Sequence, residues 1–257
     1  MKRALCLLLL ISLVSACYLL RPEADPQPPD AFFTRVTYAQ LPQPVKEWVN
    51  NARGIHLAQE LVFAGRRYIL ATYGQQPSGG FGITIEDVNP GQGIISVTVN
   101  HTGPAPEAQV TDAITYPRDI GFITNFQDPL EFAATGREEH IPRLVGLRTL
   151  REITAQSQGI KIFSPAPGDN VEREISIQGV ANVFEGTVLW RLRDIGGNIL
   201  QEGFTTAGMG DWHSFTITIS VPQEVPANTR LVLKLYTESA EDGGMENTVT
   251  IPLLLSQ

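Results

Sequence analysis

Cysteine is almost missing from this chain: among 257 residues only Cys6 and Cys17 occur, both near the start. No disulfide can brace anything downstream, and whatever folds there rests on core packing. Histidine is nearly as scarce. His56, His101, His140 and His213 stand far apart, with no HExxH, CxxC or paired-His spacing, so no metal site can be read from residue order. Cations are outnumbered: 19 Lys and Arg against 27 Asp and Glu give a formal net charge of -8. That balance argues against a nucleic-acid surface and against electrostatic adhesion to anionic lipid, since both need clustered Lys and Arg. Catalytic signatures are missing too. There is no Gly-x-Ser-x-Gly elbow for a nucleophile. Gly79-Gly80-Phe81-Gly82 lacks the lysine and following helix of a phosphate loop and reads as a strand-entry turn. Glu138-Glu139-His140 crowds three ionisable groups, but sequence neighbours do not share a helix face, and the motif reads as a solvated turn. Glu238, Glu241, Asp242 and Glu246 surround Gly243-Gly244 without the spacing of a calcium loop and read as a hairpin tip. The expectation is a protein that is not an enzyme and carries no cofactor.

Long apolar runs are confined to the beginning. Lys2 and Arg3 precede an apolar stretch from Ala4 to Val14, and the small residues Ser15 and Ala16 precede Cys17. The stretch is shorter than the about 20 residues that span a bilayer, so residues 1–17 read as a cleaved export signal. Val14-Ser15-Ala16-Cys17 resembles the bacterial lipobox. That resemblance implies cleavage before Cys17 and a diacylglycerol thioether upon it; an ordinary signal with an incidental cysteine is the alternative. Loss of Lys2 and Arg3 takes the mature charge from -8 to -10. On this reading the protein sits at the extracytoplasmic face of the cell membrane, held by lipid on Cys17. Arg21 to Asp30 contains four prolines. Residues 18–40 therefore read as an extended tether.

Beyond the tether the pattern predicts a mainly β protein in two parts. Over 41–156 an α+β domain with an antiparallel sheet is expected. Leu41 to Ala52 carries Val45, Trp48, Val49 and Ala52 at helical spacing, with Pro44 in the first turn. Leu57 to Phe63 and Tyr68 to Tyr73 form one hairpin, and Gly82 to Val88 with Ile94 to Asn100 form another. Thr111 to Thr124 adds strand character, with Pro117 at a bulge or edge. Arg148 to Gln156 is expected to be a short helix ahead of a junction at 157–159. Over 160–257 seven alternating segments read as a β-sandwich, with Trp190, Leu192, Phe204, Phe215 and Leu233 at its centre. Asp211-Trp212-His213, beside glycines, offers Trp212 and His213 as candidate partner contacts. The alternative is that Trp212 folds back over the sandwich edge.

Two stretches resemble known families. Ser164 to Val171 (SPAPGDNV), Gly179 to Glu185 and Gly197-Asn198-Ile199-Leu200 are similar to the immunoglobulin-like domain associated with bacterial spore germination. Gly79 to Val88 (GGFGITIEDV) and Ile114 to Ile120 (ITYPRDI) resemble the C-terminal domain of the PrcB family, over about 66–124. That family is named for a lipoprotein that accompanies a surface protease. The resemblances imply an accessory protein that binds an envelope protein or wall component, with a role in sporulation or germination. A regulator, chaperone or inhibitor of an exported protease is the other reading they imply. The partners expected are the membrane, through Cys17, and an envelope protein, a protease or peptidoglycan, but no nucleic acid.

Overall fold

Pro44 lies at the first turn of the only α-helix among the described residues, α1 (Gln43–Ala52), where its missing N–H has no partner to lose. The face carrying Val45, Trp48, Val49 and Ala52 is buried, as the spacing predicts. The structure is a computed structural model and describes residues 32–124 and 127–256. The export signal, Cys17 and most of the tether lie outside the described residues. No helix among those described is long and apolar enough to cross a membrane.

The first part is built from seven strands. They are β1 (Thr34–Arg35), β2 (His56–Phe63), β3 (Arg66–Tyr73), β4 (Gly82–Pro90), β5 (Ile95–Thr102), β6 (Arg118–Thr124) and β7 (Leu130–Gly136). Both hairpins form as expected: β2 with β3 across Ala64 and Gly65, which both have positive φ, and β4 with β5. Pro117 precedes β6 and uses only its carbonyl, which accepts from the Tyr73 N–H at 2.9 Å. The single antiparallel sheet expected here is in fact two. One has the order β1-β6-β3-β2, and the other has the order β4-β5-β7 with β7 parallel to β5. The reason lies in β3, which is apolar on both faces. Ile69, Ala71 and Tyr73 pack against Ile83, Ile85, Val97 and Val99 of the second sheet, whereas Tyr68 and Leu70 face α1.

The second part is the sandwich. Two short strands, β8 (Leu144–Val145) and β9 (Ala155–Gln156), precede β10 (Ile160–Ser164), β11 (Asn170–Val171), β12 (Glu174–Ala181) and β13 (Thr187–Asp194). Then come β14 (Ile199–Thr206), β15 (Trp212–Ser220), β16 (Arg230–Glu238) and β17 (Met245–Leu255). The seven long strands fall where alternation places them. They form sheets of order β8-β15-β12-β10-β9 and β11-β17-β16-β13-β14, with Trp190, Leu192, Phe215 and Leu233 in the core between. Phe204 is the exception and is 71% exposed. Its neighbour Gly203 holds the inward position, where an added Cβ would come within 2.7 Å of the Trp190 ring. Phe204 must then face outward.

The helix expected over 148–156 is not formed. Instead, residues 144–156 run extended across the outer face of the first sandwich sheet, pairing through β8 with β15 on one edge and through β9 with β10 on the other. Leu150 is buried and Leu147 and Ile153 half-buried along the way, and Asn51 of α1 donates to the Leu150 carbonyl at 2.8 Å. Phe163, Val180 and Trp212 share one core with Trp48, Leu57 and Leu70. From Phe32 on, the chain therefore packs as one compact unit.

Candidate functional site

The outer face of the sandwich and the helix-bearing sheet do not close completely upon each other. Between them lies a cleft of about 800 Å³, lined by Gly54–His56, Tyr73–Gln76, Glu138, Pro142, Gln156–Gly159, Lys161, Asn182–Phe184, Trp212 and Asn247. Clefts of this size between packed parts of a chain are the usual place for a ligand.

One wall carries two ionisable rings, His56 and Tyr73, backed by the buried His101. His56 at the start of β2 faces His101 of β5, with the two Nε2 atoms 3.1 Å apart, and the Tyr73 ring lies 4.8 Å from that of His101. Only one imidazole can donate across the pair, so at least one is neutral. Burial, and then the neighbouring His101, push the His56 pKa down to about 4. His101 is 1% exposed, and burial lowers its pKa as well. The Tyr73 hydroxyl donates to Glu138 at 2.7 Å; burial and that bond push its pKa up to about 12. Gly74 makes the turn at positive φ, and an added Cβ would press on the His56 N–H at 3.0 Å.

The other wall is centred on Lys161. β10 points Ile160 and Ile162 into the sandwich core and turns Lys161 and Phe163 toward the first part of the chain. Lys161 is 5% exposed. Its Nζ donates to Gln156 Oε1 at 3.1 Å and to the Ser157 carbonyl at 2.6 Å, and lies 5.7 Å from the Trp212 ring centre. No carboxylate among the described residues pairs with it. Burial pulls its pKa down to about 8.

Trp212 is not the exposed contact residue offered by the sequence. It is 5% exposed, and its Nε1 donates to the His56 carbonyl at 3.1 Å, joining the two walls. The reason is that Trp212 opens β15 beside β8, opposite Leu144, so the glycine-rich loop ends before it. His213 is partly exposed. The other motif singled out in the sequence lies alongside. Asp211 accepts from the Arg143 N–H at 2.7 Å and stands 3.7 Å from His140, while Glu138 turns inward to Tyr73. His56, Tyr73, His101 and Lys161 were not singled out from the sequence. Phe163, two residues beyond Lys161 on the same strand face, is the one local sign that this face is covered. No group of three or more His, Cys, Asp and Glu side chains among the described residues is placed to hold a metal ion.

Residues 159–244 match the family model for the immunoglobulin-like domain of bacterial spore germination, and residues 67–120 match PrcB C-terminal. No curated protein matches the chain. The immunoglobulin-like match stops before β17, which supplies Val249, Ile251, Leu253 and Leu255 to the sandwich core. The PrcB C-terminal match includes Tyr73 and His101 but not His56 or Glu138. Gln156, which receives the Lys161 ammonium, belongs to neither match. The cleft is thus made jointly by two matched domains and by chain outside both.

Proposed function

We propose that this chain is an accessory lipoprotein of the cell envelope, without a catalytic role of its own. In this reading lipid on Cys17 holds it at the extracytoplasmic face of the membrane, and the interdomain cleft receives an envelope protein or a wall component in sporulation or germination. The observation that carries the reading is the cleft itself, which residues from both matched stretches line together. The lipobox-like Val14-Ser15-Ala16-Cys17 and the proline-rich tether support the placement. The match to PrcB C-terminal favours a second reading, a regulator, chaperone or inhibitor of an exported protease.

The test follows the full chain and Cys17→Ala through cell fractionation, with cross-linked capture of partners and sedimentation with purified peptidoglycan. The expected result is detergent-extractable, membrane-bound protein that Cys17→Ala releases, together with recovery of a defined envelope component. Recovery of a single protease whose activity changes on adding the chain would select the second reading. If Cys17→Ala fractionates as the parent does and neither capture nor sedimentation yields a component, the accessory reading fails.

A further inference from the structure

Lys161 is unusual because a buried ammonium ordinarily has a carboxylate beside it, and this one has only neutral oxygens. An anion that enters the cleft would supply the missing charge. The polar atoms around it describe the rest of that ligand. Among the described residues, the exposed Gln156 gives its Oε1 to Lys161 and leaves its Nε2 to solvent; the half-buried Gln76 and Asn182 donate through their nitrogens to the Tyr73 and Gly210 carbonyls and leave their oxygens to solvent, where a ligand can replace water. One free amide donor and two free amide acceptors complement the C=O and N–H groups of a peptide. Phe184, at the rim, is 66% exposed and offers an aromatic face to an apolar side chain.

Resting on the reading of the cleft as the binding site, we infer that it receives the free C-terminal carboxylate of a peptide, with Lys161 as the counter-charge and the amides of Gln76, Gln156 and Asn182 against the backbone. The same chemistry is presented by a protein C-terminus of L-residues and by a wall stem peptide ending in D-residues. The other ionisable groups facing the cleft are His56 from β2, Tyr73 from β3 and Glu138 from the turn after β7. From about pH 7 to about pH 9.5 His56 is already neutral and Tyr73 still protonated, so neither changes charge as Lys161 titrates.

The test titrates the full chain in detergent, by calorimetry, with N-acetyl-L-Ala-L-Ala-L-Ala, with N-acetyl-L-Ala-D-Ala-D-Ala and with the C-terminal amide of each. At least one acid should bind about tenfold or more tighter than its amide at about pH 7. That preference should decline toward about pH 9.5, and binding at about pH 8 should take up protons, because a carboxylate raises the affinity of Lys161 for its proton. Lys161→Met should bind acid and amide alike. Preference between the two acids assigns the source. Equal binding of acid and amide by the parent chain, or no binding of any of the four, overturns the inference. Should Lys161→Met not fold, the pH profile and proton uptake of the parent still decide it. Envelope capture that persists alongside a negative peptide result would leave the accessory reading standing and remove only this inference.

Discussion

Replacing Trp212 by alanine should be among the costlier single changes in this molecule. The indole is almost fully buried, packed in the cluster that holds Trp48, Leu57, Phe163 and Val180, and it hydrogen-bonds the His56 backbone across the two halves. Truncating a buried large aromatic costs about 3 to 5 kcal/mol. The stranded His56 carbonyl would add about 1 kcal/mol if it stayed dry, but the space opens onto the cleft, where water can enter and hydrogen-bond it. The lower end, about 3 kcal/mol, is therefore the expectation. Denaturant unfolding followed by far-ultraviolet circular dichroism and by fluorescence is the assay. The parent chain should unfold in one transition, because its halves share a core. In Trp212→Ala the midpoint should fall and the transition should separate into two, since the sandwich interior and the two-sheet core remain intact. A loss below about 1 kcal/mol with a single unchanged transition would refute the reasoning, because such a value belongs to a surface site.

Lys161 is harder to protonate in the folded chain than in the unfolded one, so between about pH 8 and about pH 10 the unfolded state binds more protons and stability should rise with pH by up to roughly 3 kcal/mol. Lys161→Met should remove that rise in denaturation midpoints taken at stepped pH. The same sign holds for His56 at lower pH: with its folded value near 4 and its ordinary value 6.5, stability should fall by roughly 2 to 3 kcal/mol as pH drops from about 6.5 to about 4. His56→Asn should flatten most of that loss in acid titrations monitored by circular dichroism. Gly203→Val should destabilise by about 2 kcal/mol through collision with Trp190, whereas Phe204→Ser next to it should stay within about 0.5 kcal/mol; paired thermal melts check both.

The local pattern carried much of the fold. Alternation located the long sandwich strands, and Val45, Trp48, Val49 and Ala52 marked the buried face of α1, because a half-buried strand or helix writes its period into the sequence. Segments buried by unlike neighbours do not. Leu147, Leu150 and Ile153 recur every third residue, as on a helix, yet lie extended because a sheet face on one side and two sheet edges for pairing outweigh local propensity. β7 pairs in parallel with β5, which no hairpin signal announces. Phe204 looked like core until Gly203 took the inward register. The cleft was the least legible feature: His56, His101, Glu138 and Lys161 come from four separate regions, and nothing near any one of them names the others.

The extended segment from β8 to β9 has a consequence for anyone cutting this chain into pieces. It is a hem, stitched along both free borders of one sandwich sheet and laid over its cloth. A fragment that begins at residue 159, where the family match begins, would leave both borders ragged and Phe163, Val180 and Trp212 facing water. Such a piece would seek neighbouring copies to cover itself. The smallest faithful specimen of the sandwich therefore starts well inside what the sequence assigns to the other domain.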